Sequence, residues 1–260
     1  MTAQLHVVIA IANTKGGVGK TTTAVNLGAA LAAPSRRVLL VDLDSQASAS
    51  LSCGVPRSRL RPSSANVLLN DLPADQAIRP TAVPHLDLIT GSLELANADL
   101  VLSEVKGREQ TLKHVLKGPR AKYEIVILDT PPNLSLVGIN AMVAADGVIV
   151  PVAPQYLALE GLVTLLTSLE KVRSRLSTRN RVLGILLNMV DGASKGQAEI
   201  RNRLRAQYRD RVFHTEIAAT PALSEAPGNG QTIFGHAPRS KAADAFRRLA
   251  GEVLDRLHQR

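Results

Sequence analysis

The chain has 260 residues, 45% of them hydrophobic, which is ample for a core without covalent staples. Its single cysteine, Cys53, excludes an intramolecular disulfide and any all-cysteine metal or iron–sulfur site within one chain, and no run is long enough to span a membrane. The net charge of +9 is uneven: residues 171 to 211 hold eleven Lys and Arg against three acids, a net +8, which reads either as a polyanion surface or as a solvated face.

Met1-Thr2-Ala3-Gln4 leads straight into the first predicted strand, so an unprocessed, soluble cytoplasmic protein is expected. That strand, Leu5 to Ala12, is a continuous apolar, β-branched run of the kind buried in a parallel sheet. Asn13-Thr14-Lys15-Gly16-Gly17-Val18-Gly19-Lys20-Thr21-Thr22 follows, and Thr22 to Leu31 is an Ala/Leu-rich helix without proline. The loop fits G-x-x-x-x-G-K-[ST] once its first glycine is relaxed, because Asn13-Thr14 stands in that place. A glycine turn between strand and helix aims consecutive N–H groups at phosphate oxygens, and the helix N-terminus adds a favourable dipole. Gly16, Gly17, Val18, Gly19, Lys20, Thr21 and Thr22 are therefore the expected nucleotide cradle, with Lys20 on the β/γ-phosphates and the Thr21 hydroxyl on Mg²⁺. Lys15, at the loop entrance, is badly placed for its own nucleotide and suited to a neighbour's phosphates.

Further strands are expected at Arg37–Asp42, Leu86–Ile89, Glu124–Leu128, Gly147–Val152, Val182–Asn188 and Val212–Ile217, with helical stretches between them. This alternation predicts an α/β fold: a doubly wound, mostly parallel sheet with helices on both faces, as a single domain over residues 1–260. Pro56 to Pro84 reads as a loop-rich excursion. Leu162, Leu165, Leu166, Leu169, Val172 and Leu176 keep the spacing of one buried helix face, and Ala242 to Leu257 is an amphipathic last helix.

Two predicted strands end in acids. Asp42 and Asp44 close one and Asp129 another, at the sheet edge where α/β ligands bind. A carboxylate there costs desolvation unless it faces a cation or water, which an Mg²⁺–phosphate cluster supplies; a helix cap is the alternative, above all for Asp42. Asn188-Met189-Val190-Asp191 faintly matches a guanine-reading Asn-Lys-x-Asp, but its lysine is missing, which favours adenine.

Lys15-Gly16-Gly17-Val18-Gly19-Lys20-Thr21-Thr22, Asp42-Leu43-Asp44-Ser45-Gln46, Leu128-Asp129-Thr130-Pro131-Pro132 and Leu223-Ser224-Glu225-Ala226-Pro227 together resemble the deviant Walker A ATPases of the ParA/MinD superfamily, specifically the ParA/Soj-type partition proteins. The resemblance implies an ATPase using ATP and Mg²⁺ that dimerises in its ATP state, binds double-stranded DNA nonspecifically and segregates chromosome or plasmid DNA with a ParB-type centromere-binding partner, on the nucleoid. It gives Lys15 a role across the dimer interface, Asp44 the attacking water, Asp129 a place in the Mg²⁺ shell with Thr21 and Asp44, and Asn188 with Pro221 the adenine. A positioning ATPase for a protein cargo or division regulator, or a nucleotide-dependent interaction module, would share these motifs.

Two departures stand out. Ser45 replaces the proline usual after the catalytic aspartate, which should loosen that turn while leaving hydrolysis intact. The arginines that the family uses for nonspecific DNA binding fall on Ala193, Ala219 and Ala222. The expected substitute is Lys195, Arg201 and Arg205, with Ile200 and Leu204 facing inward and the two arginines projecting together. No helix-turn-helix extension and no membrane-targeting tail is expected, so operator reading and membrane binding are not.

Overall fold

Val7–Ile11, Val38–Asp42 and Ile125–Asp129 are buried over their whole length, because a parallel strand is covered by helices on both faces. The computed structural model describes residues 6–178 and 180–259. Leu5 of the predicted first strand and Arg179 of the basic run lie outside them. Seven strands form one sheet: β1 (Val7–Ile11), β2 (Val38–Asp42), β3 (Ile78–Pro80), β4 (Leu86–Ile89), β5 (Ile125–Asp129), β6 (Gly147–Val152) and β7 (Arg181–Leu187), in the order β3-β4-β2-β5-β1-β6-β7. Among the described residues of this sheet, only β3 runs antiparallel to its neighbour.

Side chains alternate across a strand, so each run feeds two cores. Ile9, Leu40 and Ile127 join Ala24, Leu27 and Leu31 of the Lys20–Leu31 helix and Phe246, Leu249 and Val253 of the Lys241–His258 helix. Val8, Leu39 and Val126 join Ala141 of the Leu136–Ala144 helix and Leu162 and Leu165 of the Ala158–Leu176 helix on the other face. A fully buried Leu or Ile contributes about 1.5–3 kcal/mol, so these runs outweigh the cost of a few buried polar atoms at their ends. The register sets those ends side by side: Ile11 and Asp42 both pair with Asp129. The carboxyl edge of β1, β2 and β5 is thus one acidic shelf.

Ser135, Ser194 and Ser240 begin three helices by accepting from the N–H groups of Gly138, Gln197 and Ala243, as N-caps do. The expected apolar faces are observed. Leu162, Leu165 and Leu169 are buried on the Ala158–Leu176 helix, and the amphipathic last helix buries Phe246, Leu249 and Val253. Among the described residues no helix is long and apolar enough to cross a membrane.

Two expectations are corrected. Val212–Ile217 is not a sheet strand: it touches β7 only through the isolated pairing of Val212 with Ile185 and the bonds Phe213 N–H to Ile185 O and Ile217 N–H to Leu187 O. The reason is a tertiary contact, since the intervening N–H groups of His214 and Thr215 donate to the Glu252 carboxylate instead, each at 2.7 Å. Residues 56–84 are also more ordered than a loop. They hold the Ser64–Leu69 helix, opened by a Ser63/Asn66 capping box, the Ala74–Ala77 helix, and β3, whose closing Pro80 is tolerated because the strand is an edge.

Candidate nucleotide site

The phosphate loop leaves β1 through Asn13, which explains the relaxed first glycine. Its side chain donates to Pro151 O at 2.7 Å and accepts from the N–H of Lys15 at 2.9 Å, fastening the loop entrance to β6. Gly17 and Gly19 have φ of 72° and 82°, where a side chain is strained, and a Cβ on Gly19 would collide with the Asn188 amide. The helix then starts at Lys20, two residues earlier than expected, with no side-chain cap. The first N–H groups of a helix have no intrahelical partner, which is what suits a helix start to phosphate.

The two lysines diverge. Lys20 is 7% exposed and donates back to Lys15 O at 3.2 Å; burial lowers its pKa, with Asp129 and Asp44 pulling the other way. Lys15 is exposed, its Nζ 3.4 Å from Gln155 Oε1 beyond the loop mouth.

The acidic shelf divides by role. Asp42 is fully buried and spent on structure: it accepts from Ser50 N–H at 2.9 Å, Ser50 Oγ–H at 2.7 Å and Asp44 N–H at 3.1 Å. Burial pushes its pKa up to about 6, against the pull of the Ser50 hydrogen bonds. Asp42 is not itself the N-cap of the Ser48–Ser52 helix, which is Ala47, but its carboxylate ties the Ser50 N–H and hydroxyl of that helix to the end of β2. Asp44 is half-buried at the start of a turn closed by Gln46 N–H to Asp44 Oδ1 and Ala47 N–H to Asp44 O, both 3.0 Å. These bonds hold the turn that proline would have stiffened. Asp129 is fully buried, and its Oδ2 accepts from Thr21 Oγ1 at 2.8 Å. Burial and then Asp42 beside it hold the Asp129 carboxyl well above the usual range.

The residues present fit a divalent cation. Thr21 and Asp129 offer hard oxygen donors, Asp129 Oδ1 is buried with no hydrogen-bond partner among the described residues, and the Asp129 and Asp44 carboxylates both act on the one Lys20 ammonium.

Three supporting residues were missed from sequence. Ser50 holds Asp42, Ser64 Oγ–H donates to Asp42 O at 2.6 Å, and Gly91 lets the backbone pass behind both aspartates, where a Cβ would lie 2.6 Å from Asp44 O. Only the glycine just past β4 was a visible signal. Beside the loop, a cleft of about 510 Å³ is lined by Gly19, Thr22, Asn188, Thr220 and Pro221 among others. Asn188 and Pro221 therefore stand together as expected, and Asn188 also props the loop by donating to Val18 O at 2.9 Å.

The basic residues lie elsewhere. Ile200 and Leu204 do pack inward from the Lys195–Tyr208 helix, and Lys195 is exposed at its start. Arg201 and Arg205 do not project together into solvent, however. Both close on Glu216, at 2.6 and 2.8 Å, and Arg205 also donates to Phe213 O and His214 O. That carboxylate is 18% exposed, and it draws both guanidinium groups down because they satisfy it more fully than water can reach it.

Fold, loop and acidic shelf together define a P-loop nucleotide hydrolase with a second lysine in its phosphate loop. A family described as an AAA domain matches residues 6–183. Over 256 residues the chain is 44% identical to the chromosome-partitioning ATPase Soj of Thermus thermophilus, covering 96% of each chain. It is 40% identical over 246 residues to the sporulation initiation inhibitor protein Soj of Bacillus subtilis, covering 95% of this chain and 97% of the relative. Cobyrinic acid a,c-diamide synthase from Mycobacterium smegmatis, solved with an ATP analogue and magnesium, superposes with a TM-score of 0.83 at 32% identity, covering 95% of this chain and 94% of that one. The chain belongs to the Soj/ParA family of chromosome-partitioning ATPases.

Proposed function

We propose that this ATPase, with ATP as substrate and Mg²⁺ as cofactor, is a DNA-partitioning switch. With ATP bound, two copies close face to face, the dimer attaches to duplex DNA without regard to sequence, and a ParB-type centromere-binding partner stimulates hydrolysis and release. In this reading the protein works on the nucleoid, in the cytoplasm, as one ATPase domain.

The observation that carries it is the divergence of Lys15 and Lys20 within one loop. Lys20 serves the phosphates of its own loop. Lys15 faces outward, where the phosphates within its reach are those of a second copy, so nucleotide binding and dimerisation become one event. Mg²⁺ supplies charge neutralisation at the phosphates, and Thr21, Asp129 and Asp44 are the residues that hold its shell. Asp44, on its turn, orients the attacking water, and Asn188 with Pro221 frames the adenine. Little covalent work is asked of the chain, since phosphoryl transfer is dominated by positioning and charge.

Light scattering tests the reading. ATP is expected to double the mass of the wild type, whereas Lys15→Ala binds ATP and stays monomeric; equal dimerisation of the variant would remove the cross-interface role.

A further inference from the structure

Thr232 opens the Ile233–His236 helix, yet its hydroxyl makes no cap bond. The residue is 4% exposed, and its Oγ1 is buried with no hydrogen-bond partner among the described residues. The first N–H of that helix, on Ile233, donates instead to Asn26 Oδ1 at 2.7 Å, on the helix that follows the phosphate loop. Folded chains seldom leave a buried hydroxyl unpaired, because nothing then replaces its lost hydration.

Thr232 lines a cavity of about 260 Å³ together with Cys53, Val83, Pro84, Gly230 and Phe234, among others, and no charged side chain stands in the lining. Thr81, the other lining hydroxyl, is already engaged with Leu86 O at 2.8 Å and Val83 N–H at 3.1 Å. Burial pushes the Cys53 thiol up to about 12, so it stands in the wall as a small neutral group. Arg247 fixes the Phe234 wall: it lies over the ring at 5.1 Å and is tied to Asp244 and Pro238 O.

We propose that this cavity binds a small uncharged molecule, a single ring bearing one oxygen that accepts a hydrogen bond from Thr232, at a site separate from that of the nucleotide. Volume sets the size. An apolar cavity of about 150 Å³ holds benzene and drug-sized ligands occupy about 300 Å³ or more, so one ring with a short substituent fits. Charge sets the class: with no lysine, arginine or acid in the lining, a phosphate, carboxylate or ammonium would lose its hydration and meet no counter-charge.

The cavity lies where two segments of the nucleotide site meet. Cys53 caps the carboxyl end of the Ser48–Ser52 helix, whose Ser50 holds Asp42, and the next residue, Gly54, packs so closely that a Cβ on it would lie 3.0 Å from Gly230 O. From Gly230 the chain runs back through the Ala226–Asn229 turn to Pro227, in the wall of the cleft proposed for adenine. An occupant thus bears on both segments while entering neither the phosphate loop nor the cleft.

Acetophenone, with about nine non-hydrogen atoms, is the probe, titrated into the full chain in saturating Mg-ADP and followed by NMR of threonine and valine methyl groups. Wild type is expected to bind it saturably with Kd on the order of 1 mM, shifting the Thr232 and Val83 signals. Thr232→Val should bind about tenfold more weakly and Thr232→Ser within about twofold of wild type. Cys53→Leu, which fills the cavity, should abolish saturation while ATP turnover stays at the wild-type level. If that variant loses its fold, Ala82→Leu, at an exposed position of the lining, serves in its place. Equal affinity in Thr232→Val overturns the assigned chemistry. Undiminished binding in the filled variants, or binding seen only when Mg-ADP is left out, overturns the site. So does a nucleotide-free dimer that Cys53→Leu dissociates, since a second copy would then be the occupant.

Discussion

Thr21 Oγ1 donates a 2.8 Å hydrogen bond to Asp129 Oδ2, while Asp129 Oδ1, equally buried, has no partner among the described residues. A helix start and a strand end thereby meet at one point, with a carboxylate oxygen left over for a cation. Thr21→Val keeps the shape of the side chain and removes the oxygen. ATP affinity measured in EDTA should be unchanged, whereas the tightening that Mg²⁺ gives the wild type should shrink by on the order of tenfold, about 1.4 kcal/mol. An undiminished Mg²⁺ effect would take Thr21 out of the shell.

Asp42 and Asp44 stand two residues apart and should respond oppositely to removal. Asp44→Ala deletes a half-buried carboxylate whose one local tie is the Gln46 N–H, so the fold should stand while phosphate release drops on the order of a hundredfold, roughly 3 kcal/mol in the barrier, and the ATP-bound dimer accumulates. Asp42→Ala orphans three donors, two of them in buried bonds from Ser50, and should cost about 3 kcal/mol of stability in a urea titration. Wild-type turnover in Asp44→Ala would move the water to another group.

Glu216 tethers the Lys195–Tyr208 helix to the 212–217 segment through Arg201 and Arg205. Glu216→Gln should lower unfolding stability by about 1–2 kcal/mol, a value discounted for the partial exposure of both guanidinium groups. Arg201→Ala with Arg205→Ala should lose stability to a similar degree while keeping duplex binding. Lost duplex binding at full stability would return these arginines to the DNA surface.

The nucleotide site was legible where chemistry demands fixed residue types at fixed spacing. Gly17 and Gly19 carry the positive φ angles, and Thr21 and Asp129 meet as the motif requires. Central strands were legible because their two-sided burial favours a continuous apolar run, broken only where Asp42 and Asp129 close β2 and β5. What escaped depends on partners far away in sequence. Val212–Ile217 has the composition of a strand, yet Glu252, on the last helix, takes its N–H groups. Arg201 and Arg205 share a helix face as their spacing says, but Glu216 decides where they point. Ser50, Ser64 and Gly91 support the aspartates through contacts that no local pattern encodes.

The same Glu252 gives a pH-dependent prediction. Its burial alone would raise its pKa, but the hydrogen bonds from Thr215 and His214 outweigh that and hold the carboxyl below its ordinary value. A group depressed in the folded state contributes stability above its unfolded pKa of about 4.3 and loses it as pH falls through the lower folded value. Glu252→Gln should therefore melt about 2–4 °C below wild type near pH 7, equivalent to about 1 kcal/mol at this half-exposed position, because an amide can accept from only one of the two N–H groups. Carried down below the unfolded value and through the lower folded one, where the wild-type carboxyl takes up a proton and gives up one of its own acceptors, the gap between the two melting curves should narrow. A gap of constant size would mean that Glu252 holds the 212–217 segment by packing alone, and that its charge has no part in keeping that segment off the sheet.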